Sequence, residues 1–266
     1  MSVESGQPIK LIRDGAVATI WLDRPDKRNA MSYAMWGSLE ELVSQLASDP
    51  EVRVVVLRGA GAHFCAGADI TELNVQRGAR QRSFAEVNLA AETALATIPK
   101  PTVAFIFGDC IGGGCALAID CDMRIASRGA RFGITPAKLG IVYPSASLER
   151  ATHLLGPAAT KRLLFTGDLI DADEALRIGL VDEIVETAAA EERLATLTGV
   201  LAARSLVTQA ATKAMVAEVV AHGQVPPEVQ RAWNDVAAAA GDGVEGIAAF
   251  VEKRSPRFTW SGHDGS

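Results

Sequence analysis

Short apolar runs alternate with amphipathic stretches along the first half of the chain. Residues 17–22 are rich in β-branched side chains and end in the turn cluster 23–26, which predicts a strand. Residues 33–47 carry apolar side chains on one helical face, and Ser32 can cap that helix. Residues 52–57 are apolar at nearly every position, as in a strand of a sheet that is covered on both faces.

The same alternation continues through the next part of the chain and predicts an α/β architecture. Further elements are expected as a helix at 83–97, a strand at 102–107, a helix at 115–119 and a strand at 123–126. Later signals are mostly helical, at 148–155, 158–165, 172–178, 189–201, 207–221, 226–239 and 244–253. We therefore expect a core over residues 1–200 and a helical C-terminal region over residues 201–266.

Composition and charge narrow the class of protein. The 266 residues are 48% hydrophobic and 22% charged, which is ordinary for a globular protein, and the formal net charge is −6. That charge disfavours nucleic acid as a partner. The first eight residues have neither a basic start nor an apolar segment, and no apolar run approaches the roughly 20 residues of a membrane span. We expect a cytoplasmic protein without a membrane partner.

The four cysteines are expected to be buried free thiols. Cys65, Cys110, Cys115 and Cys121 form no Cys-x-x-Cys pair, and the histidines do not cluster with them. A zinc site requires better ligand spacing. The sequence therefore predicts no metal and no redox cofactor.

Two glycine-containing turns carry the chemistry, because each ends a strand and opens a helix. They are residues 66–69 and 111–114, the second with three consecutive glycines. A glycine at a helix start often means only close packing. Two such turns on successive units of one sheet can instead place two backbone N–H groups on one carbonyl oxygen, where each donor is typically worth about 2.7–4 kcal/mol in the transition state. Neither turn has the spacing of a phosphate-binding loop, a dinucleotide fingerprint or a serine nucleophile elbow.

Six motifs in register extend over most of the chain, and together they resemble the crotonase superfamily, the enoyl-CoA hydratase/isomerase family. These motifs are residues 23–30 (Asp-Arg-Pro-Asp-Lys-Arg-Asn-Ala), 64–70, the glycine turn with Cys115, 121–126, 175–181 and 246–254.

The resemblance implies a spiral of ββα units, a helical C-terminal trimerisation region, and assembly as a homotrimer or as a dimer of trimers. It also implies an acyl-CoA thioester as substrate, with coenzyme A as part of the substrate and no separate cofactor. The backbone N–H groups of Ala68 and Gly113 would hold the thioester oxygen. Residues lining the CoA and acyl path would be Lys27, Ala30, Ala66, Asp69, Ile70, Gly112 and Pro136. Lys253 is either a ligand of a CoA phosphate, on its own or a neighbouring subunit, or an ordinary exposed lysine at a helix end.

Two departures from the family pattern bear on the reaction. Family hydratases use two glutamates to position water and to move its proton. This chain has Ala116 at the first of these positions and Pro136 at the second. Neither side chain transfers protons. Hydration by the usual route is therefore not expected.

The segment 135–143 resembles that of the family's methylmalonyl-CoA decarboxylase, through Thr135 and Tyr143. Ala68 and Ala116 depart from that enzyme, so the resemblance is partial. Decarboxylation of a malonyl-type thioester needs no base but does need a stabilised enolate, which two N–H groups supply. Tyr143 would orient the substrate or deliver a proton, or else it packs at the site wall with its hydroxyl satisfied by backbone. Thr135 acts beside it or only ends an extended segment.

Other acids and one histidine are weaker candidates for a catalytic role. Glu149 is either a replacement acid or half of a surface or intersubunit ion pair with Arg150. Asp69 is expected to cap a helix. Asp120 and Asp122 are expected at a helix end and a strand start, and His63 is expected to be structural.

Three functions therefore remain open from the sequence. The first is an enolate-stabilising lyase or isomerase on acyl-CoA. The second is a decarboxylase of a malonyl or methylmalonyl-type CoA ester. The third is a CoA-thioester-binding protein with little catalysis.

Overall fold

The computed structural model describes residues 8–73 and 82–262. The N-terminal segment, for which no secretory signal is predicted, lies almost wholly outside these ranges, and so do residues 74–81. The strands are β1 (Ile9–Asp14), β2 (Val17–Leu22), β3 (Val54–Gly59), β4 (Thr102–Ile106), β5 (Asp109–Ile111), β6 (Met123–Ser127), β7 (Arg131–Gly133), β8 (Ile170–Asp171) and β9 (Glu183–Val185). The helices are α1 (Tyr33–Ser48), α2 (Phe84–Thr97), α3 (Gly113–Asp120), α4 (Ser145–Thr166), α5 (Ala172–Arg177), α6 (Ala190–Ala203), α7 (Leu206–His222), α8 (Pro227–Ala240) and α9 (Asp242–Glu252).

Two sheets organise the core. The larger has the strand order β1-β2-β3-β4-β6-β9, and the smaller has the order β5-β7-β8. In the large sheet β1 pairs antiparallel with β2, and the remaining pairs are parallel. The expected ββα repetition appears where a long strand is followed by a short one and then a helix, as in β4-β5-α3.

Both faces of the large sheet are covered, which explains the continuous apolar runs. In β3, Val55 and Leu57 belong to the cluster under α1 and α2, whereas Val54 and Val56 belong to the cluster that includes Leu194 of α6. All four β3 side chains are fully buried. Alternate residues of a strand point to opposite faces, so a strand buried on both faces must be apolar throughout.

Some predicted elements differ from the structure. The two helices expected at 148–155 and 158–165 are the two arms of α4, which are separated by a kink where Gly156 (φ 75°) is not helical, just before Pro157. Proline removes a backbone donor and so breaks the regular ladder at this point. The helix expected after Asp69 begins as a short 3-10 turn, Ile70–Glu72, and its remainder lies beyond the described residues.

A buried lysine closes the C-terminal end of α1. The Lys100 side chain is fully buried, and its Nζ donates hydrogen bonds to the carbonyl oxygens of Leu46 and Asp49. Each of these oxygens also accepts one backbone N–H, Leu46 O from Asp49 at 3.4 Å and Asp49 O from Val52 at 3.3 Å, so Lys100 supplies a second donor at the helix end. Burial lowers the pKa of Lys100 to about 8.

The shifted pKa of Lys100 predicts a pH-dependent contribution to stability. Between pH 8 and pH 10.5 the unfolded lysine binds more protons than the folded one, so the free energy of unfolding gains from this site as the pH rises. Relative to Lys100→Met, we expect the free energy of unfolding of the wild-type protein to rise by about 2 kcal/mol between pH 8 and pH 10. Urea denaturation at a series of pH values measures this difference.

The exposed Lys161 provides the matched control. The free-energy difference between the wild type and Lys161→Met should not change over the same pH range. If the free-energy difference between the wild type and Lys100→Met is also independent of pH, Lys100 keeps an ordinary pKa in the fold.

Candidate active site

The two glycine-containing turns lie side by side because their strands are joined by backbone hydrogen bonds. Cys65 forms an isolated parallel bridge with Cys110. The Cys65 N–H donates to the carbonyl oxygen of Asp109 at 3.0 Å, and the Ile111 N–H donates to that of Cys65 at 2.9 Å. These bonds fix the turn at 66–69 against the turn at 111–114.

Glycine is required where the turns touch. Gly67 has φ 101°, and a β-carbon there would lie 2.9 Å from the Ile111 carbonyl oxygen and 3.2 Å from the Gly113 nitrogen. A β-carbon on Gly114 would overlap the carbonyl oxygen of Cys65. Real side chains do not fit at these separations, so the approach of the two backbones depends on glycine.

The contact brings two unused amide groups together. Gly67 O accepts from the Met31 N–H and the Asp69 N–H donates to Met31 O, each at 2.8 Å, so the Ala68 N–H between them points away from Met31. Gly113 is the first residue of α3, where amides have no acceptor within the helix. Within the part of the chain that the structure describes, neither N–H has an acceptor. A β-carbon on Gly113 would lie 3.4 Å from the Ala68 nitrogen.

The segment at 27–31 packs along the turn at 66–69, so most of the predicted CoA-path residues are neighbours. The Ala66 N–H donates to Arg28 O at 2.9 Å, and Arg24 donates to Ala30 O at 2.9 Å and to Asp69 Oδ2 at 3.1 Å. Nearby residues of the predicted path are Lys27 and Ile70, which are exposed, and Gly112, whose N–H donates to Gly133 O at 2.7 Å.

Asp69 has the structural role that the sequence predicts. Its Oδ1 accepts from the Thr71 N–H at 3.2 Å at the start of the 3-10 turn. The hydrogen bond from the Thr71 side chain, followed by that from Arg24, holds the pKa of Asp69 below its ordinary value. An ionised carboxylate that is already bonded on both oxygens is a cap and an orienting group rather than a proton donor.

The two positions at which the family resemblance leads us to expect the glutamates of a hydratase are apolar in this chain. Ala116 is buried in the first turn of α3, and Pro136 is half-buried at the start of a 3-10 turn, Pro136–Leu139. Thr135 is half-buried just before that turn, two residues after Gly133, whose carbonyl binds Gly112. No proton-transferring side chain therefore stands at 116 or 136.

The sequence allowed Tyr143 to pack at the site wall with its hydroxyl bonded to the backbone, and the structure differs in that hydroxyl. Its ring packs against the main core cluster, but its hydroxyl is buried and has no hydrogen-bond partner among residues 8–73 and 82–262. Burial, and then the facing groups Glu92, Cys115, Asp120 and Cys110, raise the pKa of Tyr143 well above its ordinary value. The phenol therefore stays protonated and can donate.

Three charged residues behind Tyr143 were missed or misplaced by the sequence analysis. Arg150 turns inward, with Nη1 3.2 Å from Asp120 Oδ1 and 3.6 Å from Glu92 Oε2, so the expected ion pair with the exposed Glu149 is wrong. Asp120 does end a helix, as predicted, but it is buried. Glu92 is also buried, on the α2 stripe that includes Val87, Ala91 and Leu95. The position of Glu92 on an otherwise apolar helical stripe was the feature of the sequence that could have indicated its burial.

The thiols and His63 have structural roles, as expected. All four cysteines are free and buried, and burial raises the pKa of Cys65 to about 12, so no thiolate nucleophile forms there at neutral pH. His63 Nδ1 accepts from the Asp109 N–H at 3.1 Å. Among the described residues no cluster of three or more histidine, cysteine, aspartate or glutamate side chains has a metal-binding arrangement.

Lys253 stands in the helical C-terminal region. It is exposed at the end of α9, and α9 lines a cavity together with Asp120 at the opposite end of α3. Eight helical residues separate those ends by roughly 10 Å. A role for Lys253 at the CoA of a neighbouring subunit stays a prediction.

No helix in the described ranges is long and apolar enough to span a bilayer. Comparisons with known proteins point to one family. The enoyl-CoA hydratase/isomerase family matches residues 13–261. A crotonyl-CoA hydratase of Syntrophomonas wolfei is 32% identical over 94% of this chain and 97% of its own length. A short-chain-enoyl-CoA hydratase of Clostridium acetobutylicum is 38% identical over 66% and 68%. The crystal structure of an enoyl-CoA hydratase from Bacillus anthracis superposes with a TM-score of 0.88 at 28% identity, over 97% of this chain and all of that one. These likenesses confirm the expected crotonase-like α/β fold with its helical C-terminal region.

The contact between the turns predicts that Gly114 cannot be replaced. In Gly114→Ala the added methyl group meets the Cys65 backbone, and we expect the free energy of unfolding to fall by about 1–3 kcal/mol despite the better helix propensity of alanine. Denaturant unfolding followed by circular dichroism measures the loss.

Gly199 is the matched control, because it also lies inside a helix, α6, but a β-carbon there meets nothing within 4 Å. Gly199→Ala should raise stability by about 0.5–1 kcal/mol. Equal effects of the two substitutions would contradict the tight contact.

Proposed function

The chain belongs to the enoyl-CoA hydratase/isomerase family, and from this premise we propose that it is an enzyme acting on acyl-CoA thioesters. The N–H groups of Ala68 and Gly113 bind the thioester oxygen and stabilise the enolate that forms when charge moves onto it. The observation that carries this proposal is the adjacency of two amides that have no acceptor among the described residues. One of them, Gly113, begins a buried helix whose dipole also favours negative charge.

The CoA portion of the substrate follows the surface beside these amides. In this proposal Lys27, Ala30, Ala66, Asp69 and Ile70 line the nucleotide and pantetheine path, and Gly112 and Pro136 border the thioester. Their support is the backbone pairing between 27–31 and 66–69, which forms a continuous edge leading to Ala68. Coenzyme A enters only as part of the substrate.

A second candidate function, decarboxylation of a malonyl-type thioester, is favoured by one specific observation. The buried Tyr143 hydroxyl is unpaired within the described ranges, in a site without carboxylates at 116 and 136. In this reaction the bond from the α-carbon to the substrate carboxylate breaks, carbon dioxide leaves, and the electron pair moves into the enolate. Tyr143 then gives a proton to the α-carbon, and Thr135 contacts the departing carboxylate.

We also propose assembly as a homotrimer or a dimer of trimers through the C-terminal helices. Four apolar side chains of α9 support this, because Val244, Ile247, Phe250 and Val251 are 71–86% exposed in the single chain. An apolar surface of this kind on one helix is typical of an interaction site.

The decarboxylase candidate predicts that Tyr143→Phe lowers turnover without loss of binding. With methylmalonyl-CoA or malonyl-CoA as substrate, we expect kcat for acyl-CoA formation to fall about 10–100-fold, because the proton donor is lost, while the Kd for the CoA ester is unchanged. Carbon dioxide release and product chromatography measure turnover, and calorimetry measures binding.

Tyr33→Phe is the control, because Tyr33 is the only other tyrosine of the chain and its hydroxyl donates to the Arg82 carbonyl at the surface. An unchanged rate in Tyr143→Phe would remove Tyr143 from the mechanism. Turnover of crotonyl-CoA by the wild type would instead favour hydration, and tight binding with no product from a broad panel of thioesters would favour a binding protein.

The assembly proposal predicts that a charge on α9 dissociates the protein. We expect the wild type to sediment with three or six times the mass of the 28.0 kDa chain, and Ile247→Glu to sediment closer to one chain. Lys161→Glu, at another exposed position, should leave the mass unchanged. A monomeric wild type would contradict the proposal.

A further inference from the structure

A buried polar cluster joins three helices behind Tyr143. Glu92 of α2 and Asp120 of α3 are 2% and 5% exposed, and Arg150 of α4 reaches both carboxyl groups. Nothing in the proposed enolate chemistry uses these groups. Burial of ionisable side chains is costly, so a cluster of this kind calls for a physical explanation.

The cluster contains two carboxyl groups and a single guanidinium. If both carboxyl groups were ionised, one negative charge would be buried without compensation, which is highly unfavourable. One proton shared by the pair makes the cluster neutral. The geometry therefore points to one carboxylate and one carboxylic acid, each facing Arg150.

The hydrogen bonds indicate which residue holds the proton. Glu92 accepts from Asn88 Nδ2 at 2.9 Å and from Ser147 Oγ at 2.7 Å, in addition to its approach to Arg150. Asp120 contacts Arg150 through Oδ1, whereas its buried Oδ2 has no partner among the described residues. Glu92 thus has the donors that a carboxylate needs, and the proton belongs on Asp120 Oδ2.

The electrostatics of the cluster agree with this assignment. Burial, with Glu92 next, raises the pKa of Asp120 well above its ordinary value, and Arg150 opposes the shift only in part. Burial also raises the pKa of Glu92, against the bonds from Ser147 and Asn88 and the charge of Arg150. The charged and titratable groups that face Tyr143 are Glu92, Cys115, Asp120 and Cys110.

The position of Asp120 links the cluster to the site on one side and to a cavity on the other. Asp120 follows Ala116 by four residues on α3, so it shares that helix face one turn farther from the amides. Asp120 and Arg150 also line a cavity of about 1080 Å³ that α7 and α9 border. Asp120 therefore lies on the face of α3 that begins at Ala116, and it also borders a cavity large enough to admit water.

We propose that the Glu92–Asp120 pair, held by Arg150, is the proton store that recharges Tyr143 after it protonates the substrate enolate. This inference rests on the proposed enolate chemistry. The Tyr143 O–H bond breaks as a C–H bond forms at the α-carbon of the substrate, which leaves a tyrosinate. The tyrosinate takes the proton of Asp120 through water, because no direct hydrogen bond joins Tyr143 Oη to Asp120 Oδ2. Asp120 is then reprotonated by water from the cavity. Asp120 and Glu92 act through Tyr143 and are positioning residues.

Infrared spectroscopy tests the shared proton without any substrate. At pH 7 we expect the wild type to show the C=O stretching band of a buried protonated carboxylic acid, shifted in D2O. Asp120→Asn removes this band. Glu92→Gln removes it as well, because Asp120 then ionises against Arg150. Glu149→Gln, an exposed glutamate of α4, should leave it unchanged.

Turnover tests the link to Tyr143. For the thioester that the wild type converts, Asp120→Asn should lower kcat about tenfold or more with KM unchanged, and should shift the pH profile of kcat. When Asp120→Asn is added to the Tyr143→Phe variant, kcat should fall little further, because both residues act on the same proton. Should Asp120→Asn fail to fold, Glu92→Gln supplies the same comparison, because its amide oxygen still accepts one of the two bonds from Asn88 and Ser147.

The infrared and turnover measurements together distinguish failure of the proton store from failure of the proposed function. Turnover by a wild type that lacks the infrared band, or losses that add fully in the double variant, would overturn the proton store and leave the enolate chemistry intact. A wild type that shows the band but converts no thioester would overturn the proposed function and the proton store with it.

Discussion

The contact between two backbone turns is the constraint on which the site depends. Gly67, Gly113 and Gly114 allow the chain after β3 and the chain after β5 to approach within van der Waals distance of each other. The parallel strands behind them, buried on both faces, hold this approach rigidly. As a result, two amides meet at the start of a helix, where they can stabilise an anion without a buried charged side chain.

Two acids of this chain, Glu92 of α2 and Asp120 of α3, are buried in the helical layer. Positions 116 and 136 are apolar, whereas Glu92 and Asp120 are buried one layer deeper and are balanced by Arg150. A carboxylate beside the thioester would repel the carboxylate of a malonyl-type substrate, and a buried neutral acid would not. The proposed phenol of Tyr143 joins the two layers. In this account the site keeps its means of holding an enolate and receives protons from the helical layer.

The sequence predicts the parts of this fold that rest on local patterns. The strand β3, the capped helices α1 and α2, and the two glycine turns follow from periodicity and from turn chemistry, and the family resemblance, now confirmed, adds the topology. The cluster of Glu92, Asp120 and Arg150 could not be predicted, because its members come from three helices and meet only through packing. For the same reason the sequence paired Arg150 with its exposed neighbour Glu149 and allowed the Tyr143 hydroxyl a backbone partner. The residue roles at the amides stay predictions.

The central claim is that the amides of Ala68 and Gly113 bind the thioester oxygen. Isotope-edited infrared spectroscopy tests it most directly, with an acyl-CoA that carries carbon-13 at the thioester carbonyl. Two hydrogen bonds to one oxygen weaken the C=O bond, so we predict that the labelled band moves to lower frequency when the ligand binds. A bound ligand whose carbonyl band stays where it lies in water, or moves to higher frequency, would contradict the account.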